Sequence, residues 1–250
     1  MVALRRAGYD HDVQSALIFG ARNLGRAVAH HLASSGMDVA VAARSEDSLA
    51  RVKAELPASV TIQTDAREHD QVESAFTRAH EAFGQIDVVV IAISPSTSGG
   101  ARGSQEISEC SPSALDPYAR DLLPALFTIL SVGGRFLRAQ GSGTYIQLTG
   151  GSSRRGMARG GPWAAGAFAT RGMIQAAASE LREQGVHVAL LIVDATIESD
   201  KTRERLLDKD PIQSTSEQDV AEAVTYLAGQ SERAWTHELQ LTPRGDRWVP

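Results

Sequence analysis

Short apolar runs alternate along the chain with longer amphipathic segments. The runs are ALIFG (16–20), DVAVAA (38–43), VTIQT (60–64), IDVVVIAI (86–93), GTYIQLT (143–149), HVALLIV (187–193) and HELQLT (237–242). Each is short, rich in β-formers and largely apolar without strict alternation, which predicts strands buried on both faces. Helical spacing of apolar residues is found near 24–35, 46–55, 68–83, 113–131, 163–184, 200–209 and 217–229, the last (EQDVAEAVTYLAG) with a glycine stop. Alternating strand and helix predicts a parallel sheet covered on both faces, and right-handed crossovers make it doubly wound. The expected fold is therefore α/β: one Rossmann domain over 14–250 with a sheet of about seven strands. A polar, flexible tail is expected over 1–13, and no internal repeat interrupts the pattern.

Composition narrows the class. A chain of 250 residues is a common size for one α/β domain. The net charge of −5 is mild and scattered, with no basic stripe, which excludes nucleic acid as a main partner. The one cysteine, Cys110, forms no disulfide within the chain and no thiolate metal cluster, which fits a reducing cytoplasm. The stretch MVALRRAGYDHD lacks the apolar core of a signal peptide, and no later segment is expected to span a bilayer, so a cytoplasmic protein with no membrane partner is predicted. The seven histidines show no metal-ligand spacing.

Candidate chemistry begins where the first strand meets the first helix, in FGARNLGRAVAHHLASSG. Gly20 ends the strand and Gly25 falls in the first helical turn. A Rossmann fold binds pyrophosphate here, because the backbone approaches the phosphates closely and the helix N-terminus offers N–H groups and a favourable dipole. The spacing is G-x4-G, which is equally compatible with a structural turn. No Lys-Ser/Thr pair follows Gly25, which excludes a Walker loop. At the end of the second strand (VAARSEDS), Ala43 stands where an NAD site keeps an acid, and Arg44 and Ser45 follow. A guanidinium there suits a 2′-phosphate, with Arg22 as a second contact, and favours NADP(H) over NAD(H). The alternative is a pair of ordinary surface arginines.

These motifs, with TDA at 64–66, AFGQIDVVVIA at 82–92 and PWAAGAFATRGMIQAAASELREQGVHVALLIV from 162, make the chain similar to the short-chain dehydrogenase/reductase family from about 16 to 242. The resemblance implies that Gly20, Arg22, Asn23, Leu24 and Gly25 hold the phosphates. It implies that Asp65 and Ala66 flank the adenine, that Arg44 and Ser45 select NADP, and that Ala92 ends the fourth strand beside the cofactor. The departures carry as much information. The middle glycine of the family's motif is Asn23, the family's Asn-Asn-Ala-Gly is IAIS at 91–94, and its Pro-Gly after the sixth strand is Val193-Asp194. The family's catalytic serine, tyrosine and lysine fall on Gly150, Trp163 and Ala167. Its asparagine falls near Leu122, and Asn23 is the sole asparagine in the chain.

In the family the tyrosine protonates the developing alkoxide, the lysine lowers its pKa and the serine polarises the carbonyl. General acid catalysis of this kind contributes about 10²–10⁴-fold. An indole N–H donates no proton near neutral pH, and alanine offers nothing. Hydroxyls at Thr149, Ser152, Ser153 and Tyr118, and charges at Arg154, Arg155, Arg171 and Asp194, are the neighbouring groups available to substitute. Three readings follow: an NADP-dependent oxidoreductase with a divergent site acting on an unidentified small molecule, a non-catalytic NADP(H) sensor or partner subunit, or a scaffold without cofactor. The small residues after Trp163 suit close helix packing, and the family's habit implies a homodimer or homotetramer through this helix.

Overall fold

The computed structural model describes residues 15–95, 105–199, 202–208 and 210–246. The tail expected over 1–13 and two of the chain's three lysines, Lys201 and Lys209, lie outside them. Seven parallel strands form one sheet: β1 (Ser15–Phe19), β2 (Asp38–Ala43), β3 (Val60–Gln63), β4 (Val88–Ile91), β5 (Gly143–Gly150), β6 (Val186–Val193) and, last in the chain, β9 (Glu238–Leu241). Their order is β3-β2-β1-β4-β5-β6-β9. A separate two-residue ladder pairs β7 (Thr196–Ile197) with β8 (Ser214–Thr215). The predicted doubly wound α/β sheet is therefore present, and its seven strands are the seven apolar runs.

The helices are α1 (Asn23–Ser34), α2 (Glu46–Glu55), α3 (His69–Phe83), α4 (Leu123–Gln140), α5 (Gly161–Leu181), the short α6 (Arg203–Leu206) and α7 (Glu217–Ala228). One core lies between the sheet and α3, α4 and α5, with Leu17, Phe19, Phe76, Ile129 and Ile174 in it. The other lies under α1, α2 and α7, with Ala16, Ile18, Val28, Val52 and Val224. Alternate residues of β1 thus enter opposite cores, which is why its sequence is apolar throughout.

Three local expectations change. Gly161-Pro162 does not precede the helix as a turn; Gly161 opens α5 and Pro162 sits in its first turn, where a missing N–H costs nothing. The fourth helical segment does not stop at 131. A π-helical turn at Pro117–Leu122 leads into α4, which runs on to Gln140. Finally, the stretch Pro112–Gln140 is long and apolar enough by composition to cross a membrane, contrary to the reading from sequence. Its apolar side, with Leu126, Ile129, Val132 and Leu137, packs in the core against α3 and α5.

Candidate cofactor and active site

The strand order reverses between β1 and β4, so a crevice opens beyond their carboxyl ends, where doubly wound folds bind ligands. Gly20 lies there with φ of +120°, a backbone conformation that favours glycine. A Cβ on it would meet the Ala92 carbonyl oxygen at 2.7 Å. A Cβ on Gly25 would collide with the Gly20 carbonyl. The two glycines therefore press the turn against β4 and let α1 start immediately. Asn23 takes the left-handed region at φ 40°, which asparagine tolerates better than most residues. Arg22 is the N-cap of α1, but neither its side chain nor a first-turn carboxylate caps the helix. The Gly25 N–H donates to the Arg22 carbonyl, and the start of α1, with Leu24 half-buried in it, faces this crevice without an anion of the protein's own.

At the carboxyl end of β2, Ala43 is followed by exposed Arg44. The Ser45 hydroxyl accepts the Ser48 N–H and caps α2. That gives Ser45 a structural duty besides the one implied for it, and Glu46 and Asp47 follow it in the first turn. Beyond β3, Asp65 is held firmly: its backbone N–H donates to Gln71, and its carboxylate takes two bonds from the Arg67 guanidinium, the shorter 2.7 Å. The Arg67 hydrogen bond is the main cause that keeps the Asp65 carboxyl below its usual range, against a smaller opposing effect of burial; the charge of Arg44 adds to the lowering. Arg44 and Asp65 are thus electrostatic neighbours, with Ala66 buried beside them. Arg67 and Gln71, which hold Asp65, are not singled out from sequence; the Arg67 backbone N–H also donates to the Asp65 carboxylate, an Asx-turn that returns the Arg67 side chain to it.

At the carboxyl ends of β5 and β6 lie the positions that the resemblance gives to the serine, tyrosine and lysine. A Cβ on Gly150 would stand 3.8 Å from Trp163 Cζ2, so the positions given by resemblance to serine and tyrosine do face each other. Ala167, one turn further along α5, is buried. The Trp163 ring meets the Tyr118 ring edge-on, with centroids 6.0 Å apart and planes at 89°. Tyr118 is buried, which pushes its phenol upward. Of the other candidate substitutes, Ser153, Arg154, Arg155, Arg171 and Asp194 are bonded within the protein. The Ser153 hydroxyl donates to the Gly150 carbonyl. Arg155 forks onto Asp194 at 2.7 and 3.2 Å, and Gly151 is the residue whose missing Cβ leaves room for that carboxylate. Arg171 forks onto Glu238 at 2.7 and 2.8 Å, where Arg154 and Gln175 also bond. Burial alone would raise the Glu238 carboxyl, but these partners together hold it below its usual range. The arginine–aspartate pair considered from sequence is thus an internal ion pair, and β9 supplies a second carboxylate that sequence did not reveal.

Two other clusters lie apart from this edge. His69, Asp70 and Glu73 bring ligand-type atoms within 4.8 Å of one another at the start of α3, a grouping not foreseen from sequence. The Arg135 guanidinium already bonds both His69 and Glu73 there. A surface depression of about 650 Å³ between α1, the end of α2 and the start of α7 is lined by Arg26, His30, Glu55 and Gln218 among others. Arg26 and His30 are both bonded to Glu55.

Comparisons with known proteins agree with this fold. The short chain dehydrogenase family matches residues 14–209. The chain is 31% identical over 233 residues to the 3-oxoacyl-[acyl-carrier-protein] reductase FabG of Staphylococcus epidermidis, covering 86% of this chain and 91% of that one. It is 25% identical to the glycine betaine reductase ATRR of Emericella nidulans over 92% of its own length, but spans only 19% of that larger protein. Among solved structures, a metagenomic short-chain oxidoreductase in complex with NADP superposes with a TM-score of 0.74 at 24% identity, covering 92% of this chain and 97% of the other. ElxO with NADP bound gives 0.80 at 17% identity, covering 91% and 96%.

Proposed function

This chain belongs to the short-chain dehydrogenase family, and we propose that within it the protein binds NADP(H) in preference to NAD(H) and does not use the family's Ser-Tyr-Lys chemistry. The phosphates would lie on the turn Gly20–Gly25, the adenine between Asp65 and Ala66, and the 2′-phosphate against Arg44, with Arg22 beside it. The observation that carries the cofactor preference is the end of β2: Ala43 stands where an acid would hold the ribose hydroxyls, and the next residue is a cation whose field reaches Asp65. Bound there, the cofactor supplies a hydride donor or acceptor. The residues around its reactive end, Gly150, Trp163 and Ala167, supply no proton, so reduction of ordinary ketones and aldehydes is expected to be very weak.

The same vacancy supports a second reading, a non-catalytic NADP(H) sensor or partner subunit, in a homodimer or homotetramer of the cytoplasm. Cofactor titration by calorimetry tests the first part. NADPH should bind at least about tenfold more tightly than NADH, and Arg44→Ala should bring the two within about threefold. Equal affinities in the native protein would sink the assignment. Turnover with a panel of carbonyl compounds separates the divergent enzyme from the sensor.

A further inference from the structure

The vacated end of the cleft is rebuilt in aromatic and apolar side chains. Trp163 and Tyr118 form its edge-to-face pair, and Gly166 is what lets Tyr118 lean on α5, since a Cβ there would meet its Cδ1 at 2.8 Å. Along the start of α5 and the loop before it, large apolar side chains are left in water. Ile107 is 78% exposed, Leu115 43% and Met157 37%. Ile107 Cδ1 lies 3.1 Å from where a Cβ of Gly161 would be, so it borders the start of α5, and the turn Pro112–Leu115 packs on the same helix. Met157 is in the loop that leads from β5 to α5. The two arginines of that loop that lie nearest β5, and Arg171 of α5, are bonded within the protein: Arg155 to Asp194, and Arg154 and Arg171 to Glu238. Arg159, exposed on the same loop, is outside these pairs, and exposed Glu106 and Glu109 flank Ile107 with the opposite sign.

Resting on the reading that NADP(H) fills the neighbouring crevice, we propose that the ligand of the vacated site is a neutral, flat, apolar molecule packed against Trp163. An aromatic wall rewards burial of a flat apolar face, whereas a carboxylate seated there would lose its hydration and find Arg154, Arg155 and Arg171 already bonded, with only the solvent-exposed Arg159 of the loop outside these pairs. Ile107, Leu115 and Met157 would cover the rest of such a molecule.

Two probes of one shape test this by calorimetry, with and without NADPH: 2-acetonaphthone, which is neutral, and 2-naphthoate, which carries a carboxylate. The neutral ketone should bind at least about tenfold more tightly than the carboxylate, and Trp163→Ala should weaken it about tenfold or more while NADPH affinity stays within about threefold. Trp163→Phe, which keeps a ring and tests the site if the alanine variant fails to fold, should lose less. Naphthoate binding as tightly as the ketone, or ketone binding indifferent to residue 163, would overturn the proposal. Trp163-dependent ketone binding without any NADPH binding would instead overturn the cofactor reading and leave this one standing.

Discussion

A Cβ on residue 166 would stand 2.8 Å from Tyr118 Cδ1 and 3.0 Å from its Cβ. Gly166→Ala should therefore destabilise the protein by about 1–3 kcal/mol through overpacking, and adding Tyr118→Ala should return part of that loss. Urea midpoints for the two singles and the double would measure it; additive losses would show that the ring is not held against α5. A serine at 150, by contrast, has room, since its Cβ would find only Trp163 Cζ2 at 3.8 Å and the Val193 carbonyl at 4.0 Å. Gly150→Ser, Trp163→Tyr and Ala167→Lys together should then create measurable reduction of simple ketones by NADPH. Each alone should do little, because groups that act as a unit are lost as a unit. Robust turnover by the native protein would reveal a different proton donor. The residue types at these three positions are legible in sequence because the resemblance places them by fixed spacing. That Tyr118 packs against Trp163 is not legible, because nothing local links the π-helical turn before α4 to the start of α5.

Elements are legible where their own residues decide them. The seven strands announce themselves by apolar runs, and α7 by its helical apolar spacing and glycine stop, to which the structure adds a capping box of Ser216 and Asp219. The end of α4 is hidden because Gly133-Gly134 looks like a stop. In the fold these glycines are contact points: a Cβ on Gly133 would meet Phe76 of α3 at 2.8 Å, and one on Gly134 would meet Leu181 of α5 at 3.2 Å. The joining of β9 to α5 is equally invisible, since it rests on side chains brought together only by the sheet order. It makes its own prediction. Arg171→Ala removes the forked bond to Glu238 and should cost about 1.5–3 kcal/mol at pH 7, the range for hydrogen bonds to a charged group. The folded state holds this carboxyl below its ordinary 4.5, so the native contribution is present above that pH and is lost as pH falls through the folded value. Denaturant midpoints of native and Arg171→Ala protein should thus converge in acid. A gap that stays constant down to about pH 3 would mean that the loss came from packing of the arginine stem rather than from the charge.

At the scale of the whole molecule, the exposed side of α5 is unlike that of a helix facing water. Ala165, Phe168, Ala169, Gly172, Gln175, Ala176 and Ser179 are exposed and uncharged, and the first exposed charge on α5 is Glu180, one residue from its end. Phe168 is 45% exposed, and on the adjoining α4 Phe127 is 60% exposed. A lone apolar surface residue needs no explanation, but an uncharged stripe along most of a helix, with a second exposed phenylalanine on the helix beside it, fits a covered face. Its small residues would let a second copy approach closely, and a two-fold axis would set the same stripe on both sides of the contact. The expected assembly is a homodimer, or a homotetramer that contains this dimer. Sedimentation equilibrium at micromolar concentration should show it, and Phe168→Asp, which would bury a carboxylate on each side of the axis, should shift the population to monomer. Because residue 168 lies on the solvent side of α5, away from the buried Ala164, Ala167 and Ile174, the monomer should keep its fold and its NADPH affinity. A native protein that sediments as a monomer would remove the interface. A Phe168→Asp variant that loses cofactor along with its partner would mean that the crevice between β1 and β4 is completed only in the assembly.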